Sequence, residues 1–186
     1  MNISSHLALG ANLGKQFGLN RWNLLNFMLG NIIPDITLSF VKYPHTPEIM
    51  SYAVMDALQR SMSKKEEGCS PNYLRLGILI HFFSDFFCSV HNHPIGNLKQ
   101  FHYMYEKKLE SMIVASGCKS DMFADAADNK LSEWINALHK RYCSELFGLE
   151  RDMKYIPVVC SRILTGFFEP NASQAKHEEE KLVISA

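Results

Sequence analysis

His81 and Asp85 stand four positions apart, as do His102 and Glu106, within the stretch HFFSDFFCSVHNHPIGNLKQFHYMYE at 81–106. On a helix this spacing stacks both side chains on one face, with about 5–6 Å between Cβ atoms. Each pair could therefore grip one ion without distorting the backbone. His91 and His93 lie between the pairs, where Pro94 and Gly96 are expected to end the first helix. Imidazole and carboxylate donors gathered in this way suit zinc or a similar divalent ion. A single pair of this kind is commonly a surface ion pair or a satisfied core histidine. The first pair is set apart by Phe82, Phe83, Phe86 and Phe87 around it. So apolar a helix must be buried, and a buried ionisable group needs a partner or a metal. Both readings stay open on residue type and spacing alone.

Three further residues could join this chemistry. His6 falls in the first turn of a helix expected from a Ser4 or Ser5 cap to about residue 17. Asp35 ends the segment Gly-Asn-Ile-Ile-Pro-Asp that follows a second apolar segment, 22–29. Pro34 disfavours helix at Ile33 and Gly30 marks a tight spot, so Asp35 is expected at a chain break. There it is either a helix N-cap or a carboxylate presented to a site. His45 stands in a loop fixed by Pro44 and Pro47.

The elements that must position these residues all read as helices. Thr46 and Pro47 look like N-cap and N1 of a helix over about 47–64. Pro71 or Asn72 starts the helix that runs into His81. Helical periodicity continues over about 97–116, 120–145 and 149–168, with Pro157 in the first turn of the last or kinking it. Gly18 to Asn20 should break the first helix. Trp134 reads as a core residue and Trp22 as a packing residue that could instead line a pocket near Asp35, with His139 part of a solvated face and His177 part of the charged tail. With no period-2 strand and no internal repeat, the class is all-α, with about six to eight helices.

The 186 residues, 47% of them hydrophobic, suffice for one domain with a sizeable core, expected over 1–168 with a polar tail at 169–186. Formal net charge is zero, so no basic footprint points to a nucleic-acid partner. Five scattered cysteines without a CxxC fit thiols used in packing rather than a disulfide framework. The start of the chain does not read as a signal peptide, and no apolar run approaches the roughly 18–20 residues of a membrane span. A cytoplasmic protein is the default expectation, with secretion as the alternative.

Taken together, His6, Gly30 to Asp35, His45, His81/Asp85/His91 and His102/Glu106 resemble the bacterial zinc-dependent phospholipase C family. That family includes the phosphatidylcholine-preferring enzymes and the catalytic domain of clostridial alpha-toxins. The resemblance covers about residues 4–110. It implies a compact multi-helix domain of the phospholipase C/P1 nuclease type that cleaves the glycerol–phosphate bond of phospholipids with two to three zinc ions. His45, His81 and Asp85 would hold one zinc, and His91, His102 and Glu106 a second. Asp85 would bridge to a third, shared with His6, and Asp35 would be the general base. In secreted members an N-terminal Trp adds its amino group and carbonyl to the third zinc; Met1 could supply that group here. His93 is a poorer ligand candidate than His91. The implied partner is a phospholipid or another small phosphodiester; peripheral membrane contact stays open, and oligomeric state is not implied. Two alternatives keep the fold: a metal-binding or partner-binding protein without turnover, and a P1-type nuclease or phosphatase.

Overall fold

The structure, a computed structural model, describes residues 1–37, 47–116 and 131–168. Seven α-helices run through them: α1 Ile3–Gln16, α2 Arg21–Ile36, α3 Pro47–Glu66, α4 Tyr73–Phe86, α5 Lys99–Ser116, α6 Leu131–Ser144 and α7 Leu149–Phe168. Two 3-10 turns, Ser89–His91 and Pro94–Asn97, join α4 to α5. No strand occurs among the described residues, and the all-α expectation holds. His45 and the tail from Glu169, with His177, lie outside the described residues.

Helix ends follow side-chain chemistry, with some departures from expectation. Asn2, not Ser4 or Ser5, caps α1, its Oδ1 accepting from the Ser5 N–H at 2.8 Å and the Ser5 hydroxyl at 2.8 Å. Gly18 at φ +65° ends that helix, and Asn20 caps α2. The break expected before Pro34 is absent: α2 continues to Ile36. Pro34 stands in the last turn, where its missing N–H forfeits only the bond to the Gly30 carbonyl. The Thr37 N–H and hydroxyl both donate to the Ile33 carbonyl at 2.9 Å and close the end. Asp35 is therefore a last-turn residue of α2 and not an N-cap. Pro157 likewise sits inside α7, beyond its first turn, and is buried. Trp22 is 72% exposed, which corrects its reading as a packing residue.

Packing is densest between α2 and α4. Their approach is fixed by two glycines that face each other. A Cβ at Gly30 would stand 2.1 Å from the Leu74 carbonyl oxygen, and one at Gly77 would stand 2.1 Å from that of Phe27. Only hydrogens fit between these backbones. Around the crossing, Phe27, Ile80, Phe83 and Phe87 are fully buried, each such side chain contributing about 1.5–3 kcal/mol. Helix α7 backs the opposite side of α4 with Tyr155, Ile156, Val159 and Ile163. Cys88 and Cys160 share this interior, whereas Cys69 and Cys143 are exposed, and none of the four forms a disulfide. No helix among the described residues is long and apolar enough to cross a membrane.

The crossing should be intolerant of a methyl group. Gly77→Ala is expected to cost about 3 kcal/mol or more in denaturant unfolding, since backbone must move. Gly10→Ala, whose Cβ meets only the Asn31 amide at 3.1 Å, should cost at least about 1 kcal/mol less, helped by helix propensity.

Candidate metal centre

Five elements deliver the candidate ligands to one end of the bundle. Helix α1 carries His6, α2 carries Asp35, α4 carries His81 and Asp85, the first 3-10 turn carries His91, and α5 carries His102 and Glu106. Two groups form. His6, His81 and Asp85 each bring one ligand atom to within 4.8 Å of the others, and so do His91, His102 and Glu106. Both i, i+4 pairs read from the sequence thus belong to convergent clusters.

In the first group His6 Nε2 stands 3.4 Å from Asp85 Oδ1, and His81 Nε2 stands 3.6 Å from Asp85 Oδ2. The two imidazoles stack with centroids 3.9 Å apart. Asp35 borders the group, its Oδ1 3.6 Å from His81 Nε2 and its Oδ2 3.9 Å from His6 Nε2. In the second group Glu106 Oε1 lies 3.4 Å from His91 Nε2 and 2.8 Å from His102 Nε2. Asp85 Oδ1 also stands 3.6 Å from His91 Nε2, so this carboxylate faces both groups. The Met1 ammonium lies at the junction. It donates to Asp85 and sits 2.8 Å from His91 Nε2 and 3.2 Å from Glu106 Oε1.

Outer contacts fix which ring nitrogen is available. His81 Nδ1 is 2.8 Å from the Asn31 carbonyl oxygen and His102 Nδ1 is 2.9 Å from that of Gly96. A carbonyl only accepts, so Nδ1 carries the proton and Nε2 faces the group. His6 Nδ1 meets the Ser84 hydroxyl at 3.3 Å, and that hydroxyl donates to the His81 carbonyl. The Gly96 contact depends on another close approach: a Cβ there would lie 1.8 Å from the Val90 carbonyl oxygen.

Burial sets the electrostatics. His6 and His81 are fully buried, and burial pushes both below the ordinary histidine value, leaving them neutral. Burial would raise Asp85 and Glu106. Asp85 is nevertheless held well below the ordinary carboxylate range by the Met1 ammonium and by His91 and His6, and Glu106 is held below it by hydrogen bonds from His102 and His91. Asp35 has weaker compensation, and burial with the Asp85 charge pushes it up to about 7. The Met1 ammonium, which burial alone would lower, is raised to about 12 by Asp85 and Glu106.

These donors fit zinc. Neutral imidazole Nε2 atoms and ionised carboxylates are its nitrogen and oxygen ligands, at about 2.0–2.2 Å. Two ligands of one tetrahedral ion then lie about 3.4 Å apart, close to the 3.4–3.6 Å from Asp85 to His6 and His81 and from Glu106 to His91, while His102 and Glu106 stand closer, at 2.8 Å. His6 Nε2 is buried with no atom in hydrogen-bonding geometry, an arrangement that costs about 1–3 kcal/mol unless something binds there. The centre opens on a cleft of about 650 Å³ walled by Asp35, Asp85, His91, His102 and Glu106, with Ile3 and Tyr103 on its rim.

Of the residues singled out by sequence, the structure gathers His6, Asp35, His81, Asp85, His91, His102 and Glu106. His45 lies outside the described residues. His93 is exposed and its Nδ1 accepts from the Ile95 N–H, a turn contact. His139 is not on a solvated face: its Nε2 lies 3.0 Å from the Phe86 carbonyl oxygen and 3.2 Å from Asn92 Oδ1, supporting the turn that carries His91. The supporting Asn31 and Gly96 carbonyls escaped sequence reasoning, although both lie in the glycine segments it marked.

The family of zinc-dependent phospholipases C matches residues 2–151 of the chain. No curated protein and no solved structure matches it. With this match over most of its length, the chain belongs to the zinc-dependent phospholipase C family.

Mass spectrometry of His102→Ala should show loss of the zinc held by the second group and retention of that held by the first. Removing all zinc with a chelator should lower the melting temperature. Each ion stabilises the fold by about 2.7 kcal/mol when present at a hundredfold excess over its Kd.

Proposed function

We propose that the chain hydrolyses phosphodiesters, cleaving the glycerol–phosphate bond of a phospholipid or a related small ester by attack of water. The observation that carries this reading is one cleft that the second histidine–carboxylate group lines in full and the first reaches through Asp85, with Asp35 in its wall. The volume falls in the range of about 300–1,000 Å³ that holds small-molecule ligands. Family membership supports zinc as the resident ion. Bound there, zinc would neutralise charge on the phosphoryl oxygens and make water a nucleophile near neutral pH.

The chain's own residues take the remaining roles in this reading. His6, His81 and Asp85 would hold one ion and His91, His102 and Glu106 another, with Asp85 facing both groups. Asp35, whose carboxylate borders the first group and faces the cleft, takes the proton of the attacking water. The second group is the more open of the two, His102 keeping 29% of its side chain exposed, so the ester enters from that side. The Ile3 and Tyr103 rim offers apolar surface to the alcohol part of the ester.

Asp35→Asn should retain zinc and lose about a hundredfold or more of the hydrolysis of a choline-headgroup phosphodiester, the usual scale for removing a general base. Unchanged turnover in that variant would refute the role given to Asp35. Zinc-loaded wild-type protein that turns over neither this ester nor single-stranded DNA would shift the reading to a binding protein on the same fold.

A further inference from the structure

Beneath the second metal group lies a buried carboxylate that the proposed chemistry does not use. Asp152, in the first turn of α7 and one residue beyond the family match, is fully inaccessible to solvent. Four donors converge on it. Oδ2 accepts from the Ser89 N–H at 2.8 Å and the Tyr105 hydroxyl at 2.8 Å. Oδ1 accepts from the Ser89 hydroxyl at 2.5 Å and the Tyr142 hydroxyl at 2.9 Å. The neighbouring Arg151 guanidinium, 3.9 Å above the Tyr142 ring, donates to the Ser89 hydroxyl oxygen at 2.8 Å and to the Tyr142 carbonyl at 3.1 Å.

The positions of these donors give the network a direction. Ser89 opens the 3-10 turn whose last residue is His91. Tyr105 immediately precedes Glu106 on α5. Asp152 thus ties together, through one carboxylate, the two chain segments that present His91 and Glu106, and it anchors both to a helix that supplies no ligand. Both oxygens are saturated, so neither segment can shift without leaving a buried donor unpaired, at about 1–3 kcal/mol each.

We infer that Asp152 is a positioning residue for the outer metal group, setting its zinc affinity by holding the His91 turn and the Glu106 segment of α5 at a fixed separation. A group with only packing duties would not need to bind both segments. Removing an outer contact that orients ligands lowers metal affinity about 10- to 100-fold in comparable sites. The inference rests on the two-group zinc centre proposed above.

The test is a chelator-competition titration with zinc on the full chain, comparing wild type, Asp152→Asn and Tyr105→Phe, with melting curves of the metal-free proteins beside it. Asp152→Asn should weaken one class of zinc 10- to 100-fold and leave the other within about twofold; Tyr105→Phe should do the same more mildly. In a His102→Ala background, which lacks the outer site, neither substitution should change the remaining affinity. A lowered melting temperature with both affinities unchanged, or both classes weakened together, would overturn the inference and leave Asp152 a fold-stabilising residue. Should Asp152→Asn fail to fold, Tyr105→Phe and Ser89→Ala carry the test, because each removes one hydroxyl and keeps the charge. If the wild-type protein binds no zinc, the metal-centre reading falls and this inference with it. Two zinc classes in wild type with no selective loss in the variants would sink the positioning role alone.

Discussion

Helices α2 and α4 touch backbone to backbone, and the rest of the site depends on that contact. Gly30 and Gly77 let the axes close until each Cα region abuts the other helix's carbonyls. The Asn31 carbonyl can then meet His81 Nδ1 at 2.8 Å, which selects the tautomer that turns Nε2 inward. From the crossing, Asp35 lies about one turn further along α2 and His81 about one turn further along α4, so both reach the same place. A larger residue at either glycine would separate the helices and part carboxylate from imidazole. The Gly-Asn-Ile-Ile-Pro-Asp segment is thus a spacer and an orienting acceptor as well as the carrier of a carboxylate.

Electrostatics explains why such a site needs a cation. Asp35, Asp85 and Glu106 sit within a few ångströms of one another's histidine neighbours in a largely closed setting. Burying one ionised group costs several kcal/mol after relaxation, whereas a buried Phe returns only about 1.5–3. Packing of the surrounding aromatic core brings no charge to Asp85 and Glu106, the two carboxylates held ionised. Compensation has to come from positive charge at the carboxylates, and the Met1 ammonium occupies the position where Asp85, His91 and Glu106 converge. Neutral His6 and His81 add dipoles but no charge. Divalent ions would add positive charge there, in keeping with the zinc-dependent family to which the chain belongs.

Much of this arrangement was legible in the sequence because it is local. The His81/Asp85 and His102/Glu106 pairs follow from helical periodicity alone, and the apolar residues around the first pair announced its burial. Helix positions were readable for the same reason, through Pro47, Asn72 and Gly18. What could not be read depends on contacts distant in sequence that leave no side-chain signature. The Asn31 and Gly96 carbonyls act through backbone atoms, which every residue possesses. Asp152 resembles any acidic residue in a helix's first turn, where the macrodipole favours it regardless of function. Pro34 misled because its cost depends on position: one hydrogen bond in a last turn, several kcal/mol in mid-helix. His139 misled through its neighbours Lys140 and Arg141, although its own ring turns inward to the Phe86 carbonyl.

The two metal groups differ in what holds them, and that difference bears on how the centre works. His6 and His81 are fully buried on long helices locked by the glycine crossing. His91 rides on a three-residue 3-10 turn and His102 lies in the first turn of α5, with 16% and 29% of their side chains exposed. Short turns are intrinsically the less stable elements. The chain stiffens this outer half in two ways: Gly96 presses onto Val90 and offers its carbonyl to His102, and Asp152 clasps Ser89 and Tyr105 from below. A rigid inner group and a braced, accessible outer group divide two requirements that one site cannot easily meet together. On the proposed reading, the first would keep ligands preorganised in a dry setting and the second would leave room for a substrate to approach. A site of this kind tolerates change at its rim far better than at the braces beneath it, because rim side chains contact solvent whereas the braces fix ligand separations to fractions of an ångström.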